Sequence, residues 1–161
     1  MSSYDVSMEV NSRISTITTS NGVAYSDGDQ IGSLITYSFP YLGAYSLMLT
    51  YATMGDKDKQ NSDINLWFFN TDPGLTSVNN GPLAFADGSL AYFEGILNIS
   101  ASRYVNTVAN SVSDVFFPNV VVKTSTVGNL YMIAQSAGTP TYTTTTSLIL
   151  NVKFNMLGKC V

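Results

Sequence analysis

Apolar and polar residues alternate with a period of two along most of this chain. That is the spacing a β-strand needs to bury one face and solvate the other. The pattern is clearest near the C-terminus, where Leu148, Leu150, Val152, Phe154 and Met156 alternate with Ile149, Asn151, Lys153 and Asn155. Residues 45–54 repeat it, with Leu47, Leu49 and Tyr51 on one face. In the next run Ile64, Leu66 and Phe68 share one face while Trp67 and Phe69 share the other. A run apolar on both sides predicts a strand that is central in its sheet or covered by a partner, and a buried environment for Trp67. Further strands are predicted at Arg13–Thr19, Leu34–Tyr41, Ala91–Ile99, Val115–Thr124 and Asn129–Ser136.

Turn formers separate these runs. Asn21-Gly22, Asp27-Gly28 and Asp87-Gly88 are tight-turn signals, Thr71-Asp72-Pro73-Gly74 closes the Trp67 strand, and Gly138-Thr139-Pro140 introduces the last one. About eight strands joined by turns predict an all-β fold, an antiparallel β-sandwich. Ala101–Ser113 is the best helix candidate, but its Ser, Asn and β-branched residues leave room for a turn or two at most. No composition shift marks a second domain. The expectation is therefore one domain over residues 1–161, with a short flexible N-terminus over about residues 1–10.

Composition narrows the function classes. The chain is 45% hydrophobic and 12% aromatic, so a packed core forms, whereas only 11% of residues are charged against about 25% in a typical domain. Histidine is absent, which excludes His-dependent triads, imidazole metal sites and imidazole pH switches. The net charge is −4 and the seven basic residues are scattered, so no nucleic-acid partner is expected. No apolar run is long enough to span a bilayer, so no membrane partner is expected either. The N-terminus lacks a basic region followed by an apolar one, predicting no secretory signal. The single cysteine, Cys160, has no second thiol to pair with.

Carboxylates are the remaining source of chemistry. Asp27 and Asp29 flank a glycine, and Asp56, Asp58 and Asp63 fall in one loop with Lys57 and Lys59. Calcium accepts such oxygen ligands, but neither stretch has EF-hand spacing, and turn formation explains both. Glu94 lies in an apolar strand without an identifiable carboxylate partner for glycoside hydrolysis. Nucleophile elbows and phosphate-binding glycine loops are missing. The reading is a protein that is not an enzyme, with no catalytic residue, cofactor or metal. The tyrosine-rich segment around Pro40, with Tyr37, Phe39, Tyr41 and Tyr45, is irregular and is the candidate interface.

The stretch from Ser46 to Pro73, with its Gly55-Asp56-Lys57-Asp58-Lys59 loop and Leu66-Trp67-Phe68-Phe69 strand, resembles a signature of small virion structural proteins of tailed bacteriophages. The opening Asn21-Gly22 to Gly32 and the closing segments Gly128–Tyr131 and Gly138–Tyr142 are similar to the same family, so the resemblance spans about residues 13–157. It implies a jelly-roll-like sandwich acting as a capsid decoration (cement or auxiliary) protein. The implied partner is the major capsid protein, and the implied location is the outer capsid surface after synthesis in the host cytoplasm. Icosahedral lattices present threefold axes, so a homo-oligomer, a trimer, is expected there. The alternative is a carbohydrate- or host-binding sandwich module of a fibre or tail.

Overall fold

The computed structural model describes residues 10–39 and 44–159. The expected flexible stretch 1–10 lies outside them but for Val10, which opens the first strand. The described residues form nine strands: β1 Val10–Ile17, β2 Gln30–Ser38, β3 Tyr45–Asp56, β4 Ile64–Phe69, β5 Phe93–Ile99, β6 Val105–Asn106, β7 Ser111–Lys123, β8 Asn129–Ser136 and β9 Leu148–Lys159. They build two antiparallel sheets, β1-β9-β3-β7-β6 and β2-β8-β4-β5.

This order has a simple origin. Setting aside the two-residue β6, the eight long strands pair first with eighth, second with seventh, third with sixth and fourth with fifth. The chain is thus one long antiparallel ribbon, closed at its tip by β4 and β5 and rolled so that third meets eighth and fourth meets seventh. That arrangement is a jelly roll. The all-β sandwich expected from the period-two pattern is what forms, and β4 is central in its sheet, between β8 and β5.

Several boundaries differ from the sequence reading. β2 begins at Gln30 rather than Leu34, and β7 begins at Ser111 inside the helix candidate, of which one 3₁₀ turn survives at Ala101–Arg103. Asp87-Gly88 opens a second 3₁₀ turn, Asp87–Tyr92, instead of a hairpin. Gly32 adopts φ +77°, and a Cβ there would stand 3.0 Å from the Thr18 carbonyl oxygen and from a methyl of Ile17, so this bulge in β2 requires glycine.

The core lies between the sheets. Leu47, Leu49 and Met54 of β3, and Leu148, Leu150, Val152 and Phe154 of β9, face Ile64, Leu66 and Phe68 of β4 and Leu130 and Met132 of β8. All are inward members of their alternations, but a bulge between Leu49 and Tyr51 shifts β3 by one residue. Ala52 and Met54 therefore turn inward, and Tyr51, expected on the face of Leu47 and Leu49, turns outward. Phe154 is flanked by the rings of Tyr37 and Phe39 at 6.1 and 5.9 Å, edge-to-face contacts that add about 0.5–1.5 kcal/mol each beyond burial.

Candidate functional site

Asp29, Asp56, Asp58 and Asp63 lie towards one end of the sandwich, and each is engaged by hydrogen-bond donors. Asp56, the buried last residue of β3, accepts the backbone N–H groups of Asp58 and Asn61, both at 2.9 Å. Burial raises its pKa against the opposing pull of those N–H groups. Asp58 accepts from the Thr143 N–H at 2.7 Å, the Thr143 hydroxyl at 2.6 Å and the Ser147 hydroxyl at 2.5 Å. Burial pushes the Asp58 carboxyl up, but these bonds, with Lys57 nearby, bring it below the ordinary carboxylate value. Asp63 accepts the Ala101 N–H at 2.6 Å, and Asp29 the Ser26 N–H at 2.7 Å. These carboxylates brace turns: their lone pairs face N–H and O–H groups that a cation would have to displace.

Glu94 is likewise structural. One carboxylate oxygen accepts the Asn70 side-chain amide and the other the Lys123 N–H at 3.0 Å, joining β5 to the end of β7 across the two sheets. Behind Asp56 the hydroxyls of Tyr104, Tyr142 and Ser113 are buried without a hydrogen-bond partner among the described residues. Burial, and secondarily the Asp56 charge, pushes both phenols well up.

The candidate interface residues do not share a surface. Tyr37 and Phe39 are core residues, inward on the same alternation as Ile35, so they are not a surface patch. Burial holds the Tyr37 phenol up at about 12, against the smaller opposing effects of the Ser15 hydroxyl and Arg13. Arg13 lies 4.7 Å over the Phe39 ring and donates to the Ser38 carbonyl at 3.1 Å. Tyr45 is half-buried at the start of β3, and Tyr41 lies outside the described residues. The signal was the period itself: 35, 37 and 39 continue one face up to Pro40.

What the sandwich offers instead is two contrasting outer faces. On the four-stranded sheet, Trp67, Phe69, Ile133 and Phe93 point away from the main core, yet Phe69 and Ile133 are fully buried. Residues 70–86 cover them. Phe85 from that segment packs on Phe69 at 5.3 Å and on Trp67 at 6.0 Å, and Phe93 completes the cluster. The segment is zipped to β2 by Asn80 N–H to Gln30 O and Gln30 N–H to Gly81 O, both 2.8 Å. Asn79 Oδ1 adds bonds from the Tyr25 hydroxyl at 2.7 Å and the Gly32 N–H at 2.8 Å. Trp67 is therefore half-buried in a satellite cluster rather than in the main core, its indole N–H donating to Gln135 at 3.0 Å.

On the five-stranded sheet nothing among the described residues plays that part. Ile14, Ile149, Val105, Val112, Phe116, Val121 and Leu157 point outward and are exposed. Phe116 meets the Tyr51 ring at 4.8 Å. This apolar face is the feature that the sequence reading passed over, although Val115–Val122 is apolar on both sides of its alternation.

The strand pairing defines a jelly-roll fold, and its described residues present two contrasting outer sheet faces. No protein-family model and no curated protein matches the chain. Among solved structures, a chain of tomato aspermy virus is similar at 11% identity and a TM-score of 0.45, over 95% of this chain and 79% of that one. A chain of Desmodium yellow mottle tymovirus is similar at 15% identity and a TM-score of 0.27, over 95% and 85%. Both likenesses are distant, and the jelly-roll assignment follows from the strand pairing of this chain.

Proposed function

We propose that this chain is a structural virion protein that binds the outer surface of a bacteriophage capsid and stabilises the head shell. The observation that carries the reading is the place of the Ser46–Pro73 segment, whose resemblance to phage virion proteins is described above. It forms β3, the Asp56–Asp63 turn and β4, two strands internal to the two sheets. The shared residues therefore build a rigid scaffold, as expected of a protein that acts through its surfaces. Decoration then works by mass action, because a subunit that binds only the assembled shell shifts the equilibrium away from disassembly. The major capsid protein is the partner, and low charge lowers the desolvation cost of burying the contact.

Adding purified protein to undecorated heads tests the proposal. Saturable binding, with head rupture moved to higher temperature and density on the head lattice by electron microscopy, is the expected result. Density confined to the tail overturns it. That second outcome belongs to a host- or glycan-binding module, a reading favoured by the exposed ring of Phe93 beside Trp67 and by the exposed Tyr92 next to Phe93 in the chain. In that case glycan binding lost in Tyr92→Ala identifies the site.

A further inference from the structure

We infer that the outer face of the β1-β9-β3-β7 sheet is a self-association surface, on which a second copy of this chain packs face to face about a two-fold axis. This goes beyond the virion role and does not depend on it.

Area is the first argument. Four strands about 4.8 Å apart, 8–13 residues long at about 3.3 Å per residue, make a face of roughly 650 Å². A standard stable interface takes about 800 Å² from each partner, so this sheet with its flanking loops is of the right size. Its composition suits the purpose, since Ile14 is 73% exposed, Phe116 60% and Val121 46%, a concentration that monomers rarely leave in water. Two sheets that pack in alignment bury such residues between them about 10 Å apart.

Charge placement is the second argument, and it selects a copy of the same chain. The face carries Asp114 on β7 and Lys153 on β9, neither in an ion pair among the described residues. The Lys153 ammonium lies 5.1 Å from the centre of the Tyr51 ring. In register, Asp114 is level with Thr53 and Asn151, while Phe116 is level with Tyr51 and Lys153. A two-fold axis along β3 lays each β7 over the partner copy's β9. It sets Asp114 above Asn151, diagonally beside the opposing Lys153, and sets Phe116 above that lysine. The contact is then self-complementary in both apolar and charged groups, as an isologous interface must be.

Sedimentation equilibrium and light scattering on the full chain test this. The expected result is twice the chain mass at micromolar concentration. Phe116→Asp should raise the dimer Kd at least ~30-fold with the far-ultraviolet circular dichroism unchanged. Asp114→Lys and Lys153→Asp should each weaken the dimer ~5- to 10-fold, and the double exchange should restore it. Because both charges are on the surface, the exchange remains decisive if Phe116→Asp does not fold. Four results overturn the inference. A monomer at ~100 µM, weaker than a contact of this size should be, would assign the face to another partner or to residues 1–9. A mass of three copies, the outcome lattice symmetry predicts, excludes a two-fold face. The other two are a dimer indifferent to Phe116→Asp and a charge exchange without rescue.

Discussion

On the outside of the four-stranded sheet, Trp67, Phe69 and Ile133 lie beneath the chain's own 70–86 segment, whereas on the outside of the five-stranded sheet Ile14, Phe116 and Val121 face solvent. Both faces are apolar, and both are built from strands that read as hydrophobic on two sides. The difference is the connection. Between β4 and β5 the chain runs long enough to fold back and supply Phe85, while the connections around β7 are short turns. An apolar sheet face is thus converted into a second core where the sequence provides a cover, and is left for intermolecular use where it does not.

Truncation on the covered side gives the largest expected effect. Phe69→Ala removes a fully buried ring and should cost about 3–5 kcal/mol in urea denaturation. If it costs no more than truncation of Phe116, the two faces are not different in kind. Next is the fastening of the cover. Asn79→Ala loses the two bonds that Oδ1 accepts from Tyr25 and Gly32 and should cost about 1–3 kcal/mol, with proteolysis concentrated in residues 70–86. Cleavage elsewhere would mean that the segment is held by its rings alone.

The aspartate end of the sandwich belongs to neither face and serves as a reference. Asp58→Ala breaks three bonds and should cost about 1–2 kcal/mol at neutral pH, discounted for the partial exposure of the carboxylate. Because the folded pKa lies below the ordinary value of 3.8, this stability is present above that value and is lost as pH falls through the lower folded one. Melting curves of wild type and variant should therefore converge in acid. A gap that persists at pH 2, well below the ordinary value, would show that the carboxylate charge is not the source. Smallest is Phe116→Thr, which should change monomer stability by no more than about 0.5 kcal/mol while altering assembly.

The strands were legible in the sequence because burial on one side imposes a period of two, and β9 follows that period from Leu148 to Phe154. Alternation does not say which outward face will be covered. Trp67 and Phe116 occupy equivalent positions in their patterns, and only the path of residues 70–86 separates their fates. The tyrosine-rich segment misled for a related reason. Pro40 suggested irregularity, yet Tyr37 and Phe39 precede it in register with Ile35 and close the core around Phe154. The sandwich was therefore readable residue by residue, whereas its surfaces depended on which distant segment folds over which sheet.

The nested pairing of the ribbon also sets an order in time. The tip closes over the interval from Phe69 to Phe93, but β1 pairs only when Leu148 reaches Ile17. Closing the longer loop costs roughly 1.5 kcal/mol more in chain entropy, which places β1 late in folding. On a ribosome adding roughly 5–20 residues per second, β1 emerges first and waits on the order of 10 s for its partner. Throughout that wait an eight-residue edge strand, VNSRISTI, is open to other nascent chains. Arg13, its only charge, then does a second job: before it is the cation over Phe39, it is the gatekeeper that discourages premature strand pairing.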